Sequence, residues 1–242
     1  MVLAIETATR QLGVAVLDGE RLAASYELLA DYPQYPHATE LPDAVTRVLK
    51  AARTTLEQLD AIVVDIGPGS FTGLRIGLAF AKALAFPAKK TVIGVPSLDV
   101  LAAGLPFATR LVCPVLDAKQ KNVYAALYRL EGAQVRKQGD YLLSPVDEVL
   151  ALINEPTIFL GDGCALYRDR MTQRLGERAS FAALELWLPR AATLARLGRQ
   201  RLSQGQRDDP ASLVPMYLYP QTCSINLSSR LPSAPRQVAK AA

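Results

Sequence analysis

Several oxygen-bearing side chains lie where predicted strands end, and together they could bind a metal–nucleotide. Glu6, Thr7 and Thr9 follow an apolar run at residues 2–5, and Asp117 follows another at residues 111–116. Asp162 lies between Gly161 and Gly163 in a later turn. Carboxylates hold magnesium through oxygen ligands and water, so a cleft lined by these residues could take ATP–Mg.

Two features of the first turn speak against tight phosphate binding. Residues 6–10 contain no glycine that would let backbone amides approach a phosphate closely, and Arg10 and Gln11 add bulk. A nuclease hypothesis uses Glu6 together with Asp65, which could approach each other and bind two metal ions. No third or fourth acidic partner is evident in the sequence. Asp65 is more simply interpreted as a polar residue at the end of a strand.

The sequence contains a single histidine, His37, which limits the chemistry that is available. A serine hydrolase triad would depend on this one residue, and no G-x-S-x-G segment accompanies it. Pro36 precedes His37 and Pro42 follows soon after, so pairing with Glu40 as a metal ligand is disfavoured. We interpret His37 as a residue at a helix start or at an interface.

Composition favours a globular protein of the cytoplasm. Half of the 242 residues are apolar, 21% are charged and the net charge is +4, which permits RNA contact without requiring it. No apolar run approaches the ~18 residues of a membrane span, and no basic leader precedes Glu6, so we expect neither a membrane partner nor a signal peptide. Cys113, Cys164 and Cys223 are scattered, which favours reduced thiols.

A strand, a glycine turn and a helix follow one another in the segment AIVVDIGPGSFTGLRIG at residues 61–77. Ser70 or Thr72 can cap a helix that begins near Gly73. The segment lacks the Gly-Lys-Ser/Thr ending of a P-loop, and its third glycine falls one residue late for a dinucleotide fingerprint. From spacing alone it is either a tight turn or a contact with a ligand or partner.

The remaining pattern predicts two successive α/β units. The first has strands at residues 2–6, 14–17, 22–29, 61–66 and 91–94 and helices at 41–53, 73–86 and 97–104. The second has strands at 111–116, 123–130 and 157–160 and helices at 144–153, 166–175 and 191–204. Residues 3–6 align with 114–117, and 14–17 align with 125–128 at the same offset. This indicates either a weak internal duplication or a chance likeness between two hairpins.

The helix predicted at residues 73–86 is apolar almost all round, and only Arg75 and Lys82 interrupt it. A surface helix normally has one polar face, so this helix is expected to bury two faces. Gly73, Gly77, Ala81 and Ala85 recur every four residues, which lets another helix approach closely. The second face packs either on the helix at residues 41–53 of the same domain or on a partner.

Taken as whole strings, these motifs resemble the TsaB (YeaZ-type) family, whose members are subunits of the machinery that makes threonylcarbamoyladenosine in tRNA. The resemblance rests on LAIETAT at residues 3–9, GPGSFTGLRIG at 67–77, IGVPSL at 93–98, LDAKQKNVY at 116–124 and the late glycine turn. It runs from about residue 2 to residue 219 and is weaker beyond Gly132.

The resemblance implies an α/β fold with two RNase-H-like lobes of the actin-like ATPase superfamily, which includes sugar kinases, Hsp70 and actin. The expected lobes are residues 1–106, with the dimerisation helices, and 107–223, followed by a disordered tail at 224–242. It also implies a non-catalytic role without a cofactor of its own, because the metal site of the catalytic paralogue needs two histidines. The expected partners are the TsaD-type paralogue, a TsaE-type small ATPase, a second copy of the chain and, indirectly, tRNA.

Site residues follow from the same resemblance. Two helices are expected to form the partner interface, through Leu41, Val45, Val48, Gly73, Leu74, Gly77, Leu78, Phe80 and Ala81. The candidates for RNA contact are Lys119, Lys121 and Arg129. The alternative function is an independent actin-like ATPase or small-molecule kinase that works at Glu6 and Asp117. A metallopeptidase is a third hypothesis, against which the lone His37 argues.

Overall fold

Two five-stranded sheets with the same strand order form the framework of this computed structural model, which describes residues 1–30, 36–132 and 134–218. The first sheet runs in the order β3 (Arg21–Leu29), β2 (Gln11–Asp18), β1 (Val2–Glu6), β4 (Ala61–Asp65) and β5 (Thr91–Val95). The second runs β8 (Gln134–Pro145), β7 (Asn122–Glu131), β6 (Leu111–Asp117), β9 (Thr157–Leu160) and β10 (Ala179–Phe181). In both, the first three strands pair antiparallel and the last three pair parallel. The predicted duplication is therefore confirmed.

Helices cover both faces of the first sheet, which explains its long apolar runs. Leu3 and Ile5 of β1 pack under α1 (His37–Ala51) and α2 (Phe71–Ala88). Val2 and Ala4, which point to the opposite face, pack against α6 (Ala191–Ser203). Because successive side chains of a strand alternate between faces, β1 is apolar at nearly every position.

The second sheet packs against α3 (Ser97–Ala103), α4 (Val146–Ala151) and α5 (Gly163–Leu175). Asp99 of α3 joins the lobes, since it accepts hydrogen bonds at 2.8 Å from the hydroxyls of both Tyr128 and Tyr141. Its other carboxylate oxygen pairs with Arg201 of α6 at 3.0 Å. Arg201 also donates to the carbonyl of Gly94 in β5 at 2.6 Å, so one polar network fixes the two sheets relative to each other.

Several element predictions were wrong in detail. Strands β8 and β10 were missed, because β8 is a mostly exposed edge strand without an apolar run and β10 has only three residues. Ser144, predicted to cap a helix, lies in β8, and α4 begins at Val146. Helix α2 continues through Pro87 to Ala88 and ends at Lys89 in a left-handed conformation (φ 50°). Ser70 does cap α2, by accepting a hydrogen bond from Gly73 N at 3.2 Å.

The predicted lobe limits, 1–106 and 107–223, remain a prediction. The structure adds that α6 packs on the first sheet although it follows the second in sequence. The predicted tail at 224–242 and Cys223 lie outside the described residues. By length and composition alone α2 could cross a membrane, but core helices pass the same test, and its residues Leu78, Ala81 and Ala85 belong to the core of the first sheet.

Candidate functional site

A buried pair of carboxyl groups, Glu6 and Asp65, lies at the ends of the neighbouring strands β1 and β4. Neither side chain is exposed to solvent. Glu6 Oε1 accepts a hydrogen bond from Ala8 N at 2.8 Å. Asp65 Oδ1 accepts from Gly67 N at 2.7 Å and from Ser97 Oγ at 2.6 Å. The pair therefore links three segments: the first turn, which is the turn at residues 7–10 between β1 and β2, the glycine turn at residues 67–69 and the start of α3.

Burial raises the pKa of Glu6 well above its ordinary value, and the neighbouring Asp65 raises it further. Burial also raises the pKa of Asp65, although hydrogen bonds from Glu6, Ser97 and Gly67 oppose that rise. Glu6 Oε2 and Asp65 Oδ2 are buried and have no hydrogen-bond partner among the described residues. Both carboxyl groups therefore favour the protonated form, Glu6 more strongly, and one proton between them would satisfy the two oxygen atoms that lack a partner. The predicted approach of Glu6 and Asp65 is correct, but the result is a structural link.

Between the two lobes lies a cleft of about 430 Å³, formed by the turns that follow β1, β4 and β6. Thr9, Asp117 and Asp162 line it, as the sequence predicted, together with Arg10 and Phe71. Asp162 Oδ1 accepts a hydrogen bond from Asp117 N at 3.0 Å, and burial raises the pKa of Asp162. Asp117 Oδ2 forms an ion pair with Lys119 Nζ at 2.6 Å.

The residues of this cleft do not fit a magnesium–nucleotide. Glu6 and Thr7 are buried behind the first turn and do not line the cleft. The raised pKa of Glu6 favours its protonated form, which is a poor magnesium ligand, and Asp117 forms an ion pair with Lys119. Within the described ranges, no three His, Cys, Asp or Glu side chains form a group that could hold a metal. His37 is buried at the start of α1, with Nε2 2.9 Å from the carbonyl of Thr9.

The small-residue stripe of α2 packs against its own domain. A Cβ atom at Gly73 would overlap the carbonyl oxygen of Thr7, and one at Gly77 would overlap Thr7 Oγ1. The two glycines therefore let α2 lie directly on the first turn. Gly161, in contrast, has φ +106° and lies against the backbone of Val115, so it and Gly163 serve the packing of β9 and α5 on β6.

The residues predicted for the partner interface remain a prediction, and most of them lie inside the protein's own core. Eight of the nine are buried: Leu41, Val45, Val48, Gly73, Leu74, Gly77, Leu78 and Ala81. Phe80 is half-buried and also packs against this core. These side chains are not available to a partner while the domain is folded, so a partner surface on α2 must lie on its other side.

The solvent-facing side of α2 has a group of apolar residues beside Arg75 and Lys82. Ala79 and Ala83 are exposed, and Phe86 is 85% exposed. Ile76 and Phe80 flank them and are half-buried. We call Ile76, Ala79, Phe80, Ala83 and Phe86 the outer α2 face. Large exposed apolar side chains grouped around small ones are typical of a surface that another helix covers.

The sequence contains a signal for this exposed face that the apolar pattern alone does not reveal. Arg75 and Lys82 are the two charged residues of α2, and charged side chains mark the solvent side of a helix. Residues 75, 79, 82 and 86 are spaced at i, i+4, i+7 and i+11, so they share one side of the helix. Ala79 and Phe86 therefore had to be exposed together with Arg75 and Lys82.

The three residues predicted for RNA contact do not form one patch. Lys119 and Lys121 lie in the exposed turn between β6 and β7, both with positive φ (63° and 65°). Arg129 lies near the far end of β7, roughly 26 Å away at about 3.3 Å per residue. Arg129 is also paired with Glu155. Of the three, Lys119 lines the cleft, and Lys121 lies in the same turn.

Comparison with known proteins places the chain in a family. A family model described as TsaD, tRNA N6-adenosine threonylcarbamoyltransferase, matches residues 33–226. The Bacillus subtilis protein named tRNA threonylcarbamoyladenosine biosynthesis protein TsaB is 32% identical over 220 residues, which is 90% of this chain and 93% of that protein. This chain belongs to the TsaB (YeaZ) family. The Escherichia coli TsaB protein is 29% identical over 226 residues, 90% of this chain and 94% of its own.

Solved structures agree with this assignment. YeaZ from Pseudomonas aeruginosa superposes with a TM-score of 0.79 at 29% identity, over 90% of this chain and 99% of that chain. The ethanolamine utilization protein EutJ from Carboxydothermus hydrogenoformans has a TM-score of 0.50 at 11% identity, over 80% of this chain and 88% of that chain, a likeness of fold alone. The predicted actin-like architecture with two related lobes is confirmed.

Proposed function

We propose that this TsaB-family chain is a non-catalytic subunit of the machinery that makes threonylcarbamoyladenosine next to the anticodon of tRNA. It binds the TsaD-type transferase through the outer α2 face, and the small TsaE-type ATPase acts on that complex. The observation that supports this role most directly is the apolar outer α2 face, on a helix whose other side is already buried.

The composition of this face supports a helix as its binding partner. Ala79 and Ala83 are one turn apart, and side chains this small let a second helix approach to a short interaxial distance. Phe86 supplies a large apolar side chain that a partner can desolvate, and Arg75 supplies a polar rim. An apolar centre with a polar rim is the usual arrangement of a specific protein interface.

The cleft supports a role without catalysis by this chain. The carboxyl group at the end of β1 is buried and neutral, and the one at the end of β6 is paired with a lysine. An independent ATPase or kinase at Glu6 and Asp117 would need both as free magnesium ligands. We assign to this chain the positioning of its partner, with Lys119 and Lys121 extending the surface that faces tRNA.

Ala83→Glu tests the proposal. It places a charge in the middle of the outer α2 face, where burial against an apolar partner is unfavourable. Light scattering on a sizing column, with the TsaD-type paralogue from the same cell, should show a heterodimer for the wild type and none for Ala83→Glu. The matched control is Ala165→Glu, since Ala165 is exposed on α5. That variant should bind like the wild type.

Circular dichroism must show that both variants are folded, which is expected because both alanines are exposed. Leu78→Glu is not a useful test, because Leu78 is buried and the change would unfold the domain. If the heterodimer forms equally well with Ala83→Glu, the outer α2 face is not the surface that binds the paralogue. The protein alone on the same column shows whether a second copy occupies the face when the paralogue is absent.

A further inference from the structure

A second cavity, of about 270 Å³, lies between the lobes at the end of the first sheet opposite the cleft. Leu17 lines it, and Leu17 pairs with Val2 at the start of β1, whereas the cleft lies beyond the end of β1. The C-terminal part of α3, the β7–β8 hairpin and α6 supply the other walls. None of its lining residues belongs to the cleft or to the outer α2 face.

The inner wall of this cavity is apolar and comes from both lobes. Leu17 and Leu197 belong to the core of the first sheet. Leu130 and Val135 are attached to the core of the second sheet, and Ala103 lies at the end of α3 between them. Because both lobes build the wall, a ligand that fills it would contact both.

The mouth of the cavity carries two arginines, Arg196 and Arg199, and one carboxylate, that of Glu20, so one positive charge is left without an ion pair among the described residues. Arg196 is exposed on α6, and its guanidinium donates to Thr193 Oγ1 at 3.2 Å. Among the described residues Arg196 forms no ion pair, whereas its neighbour on the same helix Arg199 is paired with Glu20 at 2.7 Å. A guanidinium beside an apolar cavity is suited to a ligand with a carboxylate at one end, which it can bind through two parallel hydrogen bonds.

We propose that this cavity binds a small amphipathic carboxylate. The apolar chain packs against Leu17, Ala103 and Leu197, and the carboxylate accepts hydrogen bonds from Arg196. At roughly 30 Å³ for each water-sized group, the cavity holds about nine non-hydrogen atoms, which is close to an eight-carbon acid. The proposal does not depend on the partner or on the role in tRNA modification.

Isothermal titration of the full chain with octanoate tests the proposal. We expect saturable binding of one molecule per chain. Octanamide has the same length without the charge and should bind at least about tenfold more weakly, because hydrogen bonds to a charged group are the strong ones. Equal binding of the two ligands would overturn the role of Arg196.

Two variants and one control locate the site. Arg196→Gln should weaken octanoate binding about tenfold and leave octanamide binding unchanged, and it is expected to fold because Arg196 is exposed. Ala103→Met should fill the cavity and weaken the binding of both octanoate and octanamide. Arg174→Gln makes the same charge change on α5, away from the cavity, and should bind octanoate like the wild type.

Absence of saturable octanoate binding at millimolar concentration would overturn the proposal. So would binding that neither Arg196→Gln nor Ala103→Met changes, since the ligand would then lie elsewhere. If octanoate does not bind but both variants weaken the complex with the TsaD-type paralogue, the cavity receives a protein side chain and the small-molecule proposal is wrong. The control Arg174→Gln distinguishes that result from a general effect of charge.

Discussion

The two lobes share a strand order but differ at the end of their central strands, β1 and β6. Glu6 ends β1 and is buried beside Asp65, with a pKa well above its ordinary value. Asp117 ends β6 at the equivalent place, lines the cleft and forms an ion pair with Lys119. The same topological position is therefore buried against a second carboxyl group in one lobe and lines the cleft in the other. A repeated fold by itself does not decide which strand end is functional.

The helices that follow β4 and β9 differ in the same way. Helix α2 has an apolar exposed side that includes Ala79, Ala83 and Phe86. The exposed side of α5 is charged, with Arg168, Asp169, Arg170 and Arg174. Arg170 is paired there with Asp147 at 2.7 Å, on an ordinary solvated surface. Because the two helices occupy equivalent positions, this difference supports the proposal that the partner binds the first lobe and not the second.

The largest effect on stability is expected where α2 packs on the turn between β1 and β2. Gly73→Ala should lower the free energy of unfolding by about 3 kcal/mol, because its Cβ would overlap the carbonyl oxygen of Thr7 in a buried turn. Gly163→Ala, in the first turn of α5, meets Val115 at 2.9 Å and should cost about 1 kcal/mol. Urea unfolding followed by circular dichroism measures both, with the exposed Thr72→Ala as the control. If Gly73→Ala and Gly163→Ala lower the free energy of unfolding equally, α2 is not packed more closely than α5.

The two strand-end carboxyl groups should respond differently to pH. Above the ordinary pKa of 4.5 the unfolded chain releases the Glu6 proton while the folded protein keeps it, so this group lowers stability as pH rises until the raised pKa is passed. Glu6→Gln keeps the hydrogen bond to Asp65 and removes this loss. Its stability relative to the wild type should therefore increase from pH 4.5 upward, by at most about 1.4 kcal/mol per pH unit.

Urea unfolding at several pH values from 4.5 to 8 tests this difference. Asp117→Asn is the matched variant in the second lobe, and it should change stability by less than about 1 kcal/mol, since its ion pair with Lys119 is at the surface. If the free energy of unfolding of Glu6→Gln changes with pH in parallel with that of the wild type across this range, the buried pair does not share a proton.

A smaller effect is expected from single exposed side chains on the two equivalent helices. Phe86→Ala should weaken binding of the TsaD-type paralogue by about 2 kcal/mol, roughly thirtyfold, as for a large apolar side chain buried in an interface. Leu166→Ala on α5, where Leu166 is 63% exposed, should leave the affinity unchanged. Titration calorimetry measures both. If the two variants lose affinity equally, α2 and α5 are equivalent in binding and the comparison between the lobes fails.

Local pattern alone predicted most elements of the first lobe. Strands β1 and β4 are buried on both faces, so their apolar runs were easy to recognise, and Ser70 was correctly expected to cap α2. Edge strand β8 contains Arg136, Lys137, Asp140 and a glycine, so only its equivalence to β3 could have revealed it. The predicted approach of Glu6 and Asp65 followed from their places at strand ends, but their raised pKa values depend on burial in the folded protein.

The sequence by itself determined the family, the two related α/β units and the absence of a histidine pair, because motif strings and composition do not depend on packing. The tertiary structure decided which side of α2 faces solvent. Gly73 and Gly77 could equally have allowed a partner helix to approach, and only their contact with Thr7 assigns them to the core. The structure also decided the protonation of Glu6, since a carboxyl group loses its charge through the neighbours and the burial that folding brings together.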